Sequence, residues 1–354
     1  MKKTLLLSLL CLLTTLSPAQ SITPLTESAS RFLATLRADE LAKTQYAFTD
    51  SLRFKWTNLP VGMKPRPGIA YGSLLDASRL AFHRVLSAML SSQGYLKINS
   101  IMQLDDILNV LYDDAFKRGK IDQKTLSMTQ GLNWAHGNYF ISVWGNPQTG
   151  QPWGLNFGGH HLALSLTTDG KTVSMSPYFV GTDPSEVKSG KYAGLRVLSK
   201  EEDYGFMLIN ALTTSQKAVA VLKQDVPKDI ITSPQGQQRI TSYYGIAASQ
   251  FTADQKTILT LLIQEYTHNF DHRKAHQLFD KITKSGLDTV YFAWVGSLDN
   301  NKPHYYIING PDFLIEYDNV GFQNDGNHIH AILREKGSEF GEDILKQHYA
   351  ESHK

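Results

Sequence analysis

Histidine pairs are the densest concentration of reactive side chains in this chain. Asn327-His328-Ile329-His330 places two imidazoles two residues apart. In a strand that spacing puts both rings on one face, about 6.5–7 Å apart at Cα. Rings so placed can converge on one ion, each nitrogen about 2.0–2.1 Å from it. A bare His-x-His is equally the mark of an edge strand with two solvated histidines. Phe157-Gly158-Gly159-His160-His161-Leu162 supplies a second pair. In a regular strand His160 and His161 face opposite sides, so one at most looks at a given site, while the glycines permit a bulge that re-aims either ring. Read alone, this segment is one core histidine and one surface histidine. A third set is Glu265-Tyr266-Thr267-His268, with His272 and His276 following at four-residue intervals. Glu-x-x-His puts both groups on one helical face, as carboxylate-bridged metal sites do. The apolar stripe Leu259, Leu262, Ile263, Tyr266 and Phe270 is the expected buried face, which leaves Glu265, His268 and His272 at its solvated edge.

Other chemistries have no anchor. The chain contains no His-Glu-x-x-His, Gly-x-Ser-x-Gly, phosphate loop or dinucleotide fingerprint. Residues 1–19 read as a secretory signal peptide: Lys2 and Lys3 start it, an apolar run follows, and Ser17-Pro18-Ala19 offers small residues for cleavage. The apolar run is too short to span a bilayer. Leu10 before Cys11 argues against a lipoprotein anchor. Removing this leader takes away Lys2, Lys3 and the single cysteine, leaving 33 basic against 33 acidic side chains. A balanced surface without a basic run gives no footprint for nucleic acid or anionic lipid. Without a thiol, any metal is held by His, Asp, Glu or backbone oxygen. The expected product is a secreted protein, periplasmic or extracellular, with no membrane attachment once the leader is gone.

The 354 residues, 42% hydrophobic and 10% aromatic, are ample for a packed core. The elements that must position the histidines follow from periodicity. The first third is helical in pattern. Ser73-Leu74-Leu75-Asp76 fits a capping box opening a helix with Leu75, Phe82, Leu86 and Leu90 on one stripe and Gly94 at its end. Residues 98–112 form a further helix. β-like runs follow at 139–144, 153–157, 161–167 and 172–175. Helical pattern returns at 204–212 and in one long segment from Ala253 to Gly286, capped by Thr252-Ala253-Asp254-Gln255. Strands then recur at 289–295, 305–308, 313–317 and 328–333, before a terminal helix from about Glu342. The predicted class is α+β, an antiparallel sheet system flanked by helices. Residues 20–354 form a single α+β domain with two similar helix-then-strand halves, 20–200 and 201–354. At an offset of 152 residues Tyr139-Phe140 falls on Tyr291-Phe292, Gly158 on Gly310 and Leu162 on Leu314, which is weak support for a duplication.

An ordered set of segments resembles a known family. Lys55-Trp56-Thr57-Asn58-Leu59-Pro60, Arg66-Pro67-Gly68-Ile69, Leu90-Ser91-Ser92-Gln93-Gly94-Tyr95, Trp153-Gly154 through Leu162, Pro177-Tyr178-Phe179-Val180-Gly181, Ile315-Glu316-Tyr317-Asp318-Asn319, Asn327-His328-Ile329-His330, Phe340-Gly341 and His348-Tyr349 together resemble the domain of unknown function 3500 family. The likeness runs from about residue 30 to the end. It implies exported kin and no mechanism, and it favours the two histidine segments acting together. His328 and His330, joined by His160 or His161, are therefore the expected ligands of one divalent ion, zinc first and copper or manganese next. Glu265 or Glu316 is the expected general base, and Trp153 and Tyr178 the expected walls of a substrate cleft. Hydrolase or lyase chemistry on an extracellular small molecule, peptide or glycan fragment follows. The competing expectation is a carbohydrate- or ligand-binding module. Its sixteen Tyr, sixteen Phe and five Trp would supply stacking platforms, with any metal structural.

Overall fold

The computed structural model describes residues 23–352 apart from 149, 235–239 and 301, so the leader expected over 1–19 lies outside the described residues. The chain opens with α1 (Thr23–Ala34), α2 (Ala38–Thr44), β1 (Gln45–Tyr46), β2 (Ile69–Ala70), α3 (Asp76–Met89), α4 (Ser92–Lys117) and α5 (Gln123–Gly131). Then come β3 (Phe140–Gly145), β4 (Trp153–Gly159), β5 (Leu162–Thr168), β6 (Val173–Ser174) and β7 (Tyr178–Thr182). The second half holds α6 (Ser199–Ala211), α7 (Thr214–Ala220), β8 (Ile246–Ala247), α8 (Ala253–Thr267) and α9 (His272–Ser285). It closes with β9 (Tyr291–Gly296), β10 (His304–Asn309), β11 (Phe313–Asp318), β12 (Ile329–Glu335) and α10 (Glu342–Ser352).

Strands of both halves join one 12-stranded sheet in the order β1-β3-β4-β5-β7-β12-β11-β10-β9-β8, with β2 beside β3 and β6 beside β5. Only β1 runs parallel to its neighbour; the remaining pairs are antiparallel. This is the α+β architecture that the periodicity predicts. Alternation assigns the two faces. Leu162, Leu164 and Leu166 of β5 enter the main core with Phe82, Ile98 and Leu262 of the helices. Ala163 points the other way, beneath Trp56 and Ile230. Helices thus cover one face, and irregular segments around residues 51–68, 221–234 and 240–245 cover the other.

Several boundaries differ from the sequence expectation for tertiary reasons. Tyr71–Ser73 forms a short 3₁₀ turn, and Ser73 donates its hydroxyl to the Ala70 carbonyl at 2.7 Å, so it does not cap α3. Gly94 does not end a helix; it lies in the first turn of α4, which Ser91 caps. A Cβ at Gly94 would sit 2.0 Å from the Asn269 carbonyl oxygen, so close packing, not chain reversal, requires glycine there. The long helix expected from Ala253 is two helices. It breaks at residues 268–271 because that stretch pairs with the end of α3: Ser91 N–H donates to Asn269 O at 3.1 Å and Asp271 N–H to Met89 O at 2.9 Å. Asp271 then caps α9. The strand β7 has no counterpart in the sequence reading, yet it sits at the middle of the sheet between β5 and β12.

The halves match in topology with a one-residue correction. Ala70 precedes a 3₁₀ turn and pairs with Phe140; Ala247 precedes another and pairs with Tyr291. Phe140, not Tyr139, is therefore the structural equivalent of Tyr291. A slip of one residue reverses every side chain across a sheet. The identities seen at offset 152 are coincidental, although the repeated strand order is real.

Candidate metal centre

The site stands at one end of the seam where β5, β7 and β12 lie side by side. His160 and His161 are the two turn residues between β4 and β5, since Gly159 pairs with Leu162. Strand alternation does not apply to them, and their ring centroids are 3.7 Å apart. His161 takes a left-handed φ of 60°, a strained setting for a residue with a Cβ. The surroundings hold it there. His161 N–H donates to Asn58 O at 3.3 Å, Gly181 N–H donates to His161 O at 2.8 Å, and Arg66 donates to Gly159 O at 2.9 Å. Tyr139 donates its hydroxyl to His160 O at 2.7 Å.

From the other half, His328 immediately precedes β12 and His330 lies within it, so the two share a face. Their Nε2 atoms are 3.0 Å apart, and His328 Nε2 is 2.9 Å from His161 Nε2. Carboxylates stand behind two of the rings. Asp229 Oδ1 is 2.8 Å from His330 Nδ1, and Asp183 Oδ2 is 3.4 Å from His328 Nδ1. A carboxylate at Nδ1 keeps the proton on that nitrogen, which leaves Nε2 with a lone pair. Burial, reinforced by the neighbouring imidazoles, pushes the His161 pKa well below its ordinary value. Burial also lowers His330, against the pull of Asp229. With the proton on Nδ1 of both His328 and His330, their Nε2 lone pairs meet at 3.0 Å, an arrangement that a cation between them relieves. A tetrahedral ion with nitrogens at about 2.0–2.1 Å needs them roughly 3.3 Å apart; the His161–His328 and His328–His330 pairs come within a few tenths of an ångström of that, and one donor atom from each of the three rings lies within 4.8 Å of the others. The donor set therefore fits a metal ion. Gly181 lies against it: an added Cβ would stand 2.6 Å from Ile329 O and 2.9 Å from the His161 ring.

The carboxylates expected to act as bases hold other posts. Glu316 lies on β11 and accepts from Ile231 N–H at 2.6 Å, Thr232 N–H at 3.1 Å, Tyr305 Oη at 2.8 Å and the Thr232 hydroxyl. It anchors the segment that carries Asp229. Asp318, two residues on, is fully buried with Oδ2 unpartnered 3.9 Å from His330 Nδ1; burial and the nearby Asp229 push its pKa far up. Glu265 is remote from the histidines and pairs with Lys97, which also holds Glu201 at 2.7 Å. Trp153 and Tyr178 are wholly buried among the helices: Trp153 donates to Thr26 Oγ1 at 3.3 Å, and Tyr178 packs edge-on against Phe270. Neither borders the site. His268 ends α8 and His272 opens α9, so the Glu-x-x-His register does not continue along one helix.

A pocket of about 750 Å³ reaches the centre at His328 and Asp183. Its wall is mainly apolar, with Leu108, Tyr112, Trp134 and Phe322 prominent, and His160 borders it. Asp105, buried on α4, holds His160 Nδ1 at 2.7 Å, which leaves Nε2 as the nitrogen free for the pocket. Trp134 stacks on the His160 ring at 5.8 Å. Asp105, Asp183, Asp229, Gly181 and Trp134 escaped the sequence reading. No spacing links them to the histidines; Gly181 alone lay in a segment already marked, Pro177–Gly181.

A family model described as "Protein of unknown function (DUF3500)" matches residues 18–342, nearly the whole chain, and the chain belongs to that family. No curated protein and no solved structure matches it.

Proposed function

We propose that this member of the DUF3500 family is a metal-dependent hydrolase. His161, His328 and His330 would bind one divalent ion, zinc in first place, and the Asp105–His160 dyad would move the proton. One observation carries the reading: three Nε2 atoms, two on buried rings and one on a half-buried ring, converge while carboxylates hold the opposite nitrogens of two of those rings. Three protein nitrogens with an open fourth position is the pattern of catalytic rather than closed structural zinc. Such an ion supplies an activated water near neutral pH and polarises a carbonyl oxygen. His160 faces the same pocket and is oriented by Asp105, as a general base requires. The apolar, aromatic wall favours a small organic molecule with a hydrophobic portion over a charged polymer. Of the expected bases, Glu316 is better placed as a positioning residue for the Asp229 segment. The large aromatics Trp144, Trp153 and Trp294 are fully buried, so they offer no exposed platform for a glycan. Export through the leader at 1–19 belongs to this proposal. No helix among the described residues is long and apolar enough to cross a membrane.

Elemental analysis of protein purified from metal-supplemented medium is expected to show one transition-metal equivalent. The His328→Ala/His330→Ala variant should lose it while keeping its far-UV circular dichroism. With an aryl ester such as p-nitrophenyl acetate, His160→Gln should retain the metal and lose about 10²–10⁴-fold in turnover. Protein without bound transition metal after such growth sinks the proposal.

A further inference from the structure

Behind the loop that supports His161 lies a second, smaller pocket of about 220 Å³, on the face of the sheet away from the helices. Its floor is a row of polar side chains in direct register across three strands: Ser142 on β3 pairs with Asn156 on β4, which pairs with Ser165 on β5. Ser142 and Ser165 are each 2% exposed, and neither hydroxyl has a hydrogen-bond partner among the described residues. The two residues are buried, yet their hydroxyl oxygens are not among the sealed, unsatisfied polar atoms and stay open to the pocket. Both border this pocket. Asn156 gives its amide N–H to Arg53 O at 3.1 Å, so its carbonyl oxygen remains for the pocket.

The neighbouring row gives the pocket depth and walls. Phe140 pairs with Gly158, and Gly158 with Ala163, so a ring stands beside two small residues. Trp56 forms the opposite wall, fixed by Phe179 at 5.3 Å and by the Arg334 guanidinium at 5.8 Å. Lys55 and Lys64 border the pocket, both exposed and free of any carboxylate partner among the described residues, and no acidic residue lines it. Arg66 also borders it, but its guanidinium serves the carbonyls of Thr57, Leu59 and Gly159.

We propose that this pocket binds a small aromatic carboxylate, its ring between Trp56 and Phe140, its carboxylate at Lys55 and Lys64, and a polar substituent on the Ser142–Asn156–Ser165 row. The volume suits one ring with short substituents, and cations at the mouth with neutral polar groups within fix the orientation. The site is separate from the metal centre and stands whether or not the metal reading does.

The probe is 4-hydroxybenzoate, titrated calorimetrically into the full-length protein, with neutral 4-hydroxybenzamide alongside. Saturable binding of one equivalent is expected, with the amide weaker by roughly fivefold to tenfold. Lys55→Met/Lys64→Met should weaken the acid by a similar factor without affecting the amide. Ser142→Ala/Ser165→Ala should weaken both ligands by roughly threefold to tenfold. These substitutions are small or exposed, and unchanged circular dichroism will show that the variants fold. His328→Ala/His330→Ala should bind 4-hydroxybenzoate as the parent does. No saturable binding overturns the proposal. So does binding that survives the lysine and serine changes, or binding lost with the histidines, which would place the acid at the metal centre.

Discussion

At the candidate metal centre two of the three imidazoles have the far nitrogen fixed, and the groups that do this are single residues brought from afar. Asp229 reaches His330 from the 221–234 segment and Asp183 reaches His328 from beyond β7. Asp229→Asn is expected to lower metal affinity about 10–100-fold with little change in thermal stability, read by competition with a chromophoric chelator. An unchanged affinity would show that the carboxylate does not orient the ring. Gly181→Ala should be harsher. Its Cβ would press on the Ile329 carbonyl as well as on His161, so both metal stoichiometry and melting temperature should fall. A histidine outside the metal centre adds to the acid sensitivity that the buried His161 and His330 already confer. His304 is fully buried, stacked on Trp294 at 4.7 Å, with Nε2 unpartnered, and burial pulls its pKa down from 6.5 to about 4 despite the Lys302 carbonyl at Nδ1. Between those values the unfolded chain binds more protons than the folded one. The stabilisation is therefore complete above pH 6.5 and is lost as pH falls towards 4, by about 3 kcal/mol in total. Urea midpoints of chelator-treated protein at pH 7 and pH 4.5 measure this, and His304→Phe should narrow the difference, leaving the share due to His161 and His330. The His-x-His spacing was legible because strand alternation is local; the carboxylates were not, because nothing in sequence ties Asp229 to His330.

Elements show the same division between local and tertiary information. β5 and β11 were readable from alternation and the Thr252 cap from its box, since each depends on neighbours in sequence. The break between α8 and α9 was not, because backbone pairing with residues 89–91 imposes it. Between α4, α6 and α8 the buried Lys97 binds both Glu201 and Glu265. Burial pushes the Glu201 pKa up against the pull of Lys97, and the two glutamates outweigh burial in raising that of Lys97. Removing the cation leaves acidic groups without compensation inside the helical layer. Lys97→Met should thus cost about 3–5 kcal/mol in urea unfolding, whereas Glu265→Gln, which keeps a hydrogen-bond acceptor and leaves Glu201 paired, should cost less. Neither change should alter metal stoichiometry. If Glu265→Gln abolished ester hydrolysis while leaving stability intact, Glu265 would have to be returned to the role of base.

For the whole molecule, the central fact is that the proposed ligands come from both halves. His161 belongs to the first half, His328 and His330 to the second, and they meet where β7 and β12 pair from Tyr178 with Leu333 to Thr182 with Ile329. The helical layer repeats the junction, with Leu90 opposite Phe270 and flanking backbone hydrogen bonds from Ser91 N–H to Asn269 O and from Asp271 N–H to Met89 O. One core runs through both: Leu164 and Tyr178 pack in the same cluster as Ile315 and Leu333. Matching halves invite the idea of two units that unfold separately, but a seam this extensive ties their stabilities together. Native-state hydrogen exchange should therefore give Leu155 of β4 and Ile307 of β10 the same opening free energy. An ion gripping both halves, as proposed, would add to that energy by mass action, about 2.7 kcal/mol at a hundredfold excess over its dissociation constant. Chelation should lower both amides' protection together by that order. Two distinct opening energies, or a chelator effect confined to one half, would show that the halves fold as independent bodies and that the ion is not a clasp between them.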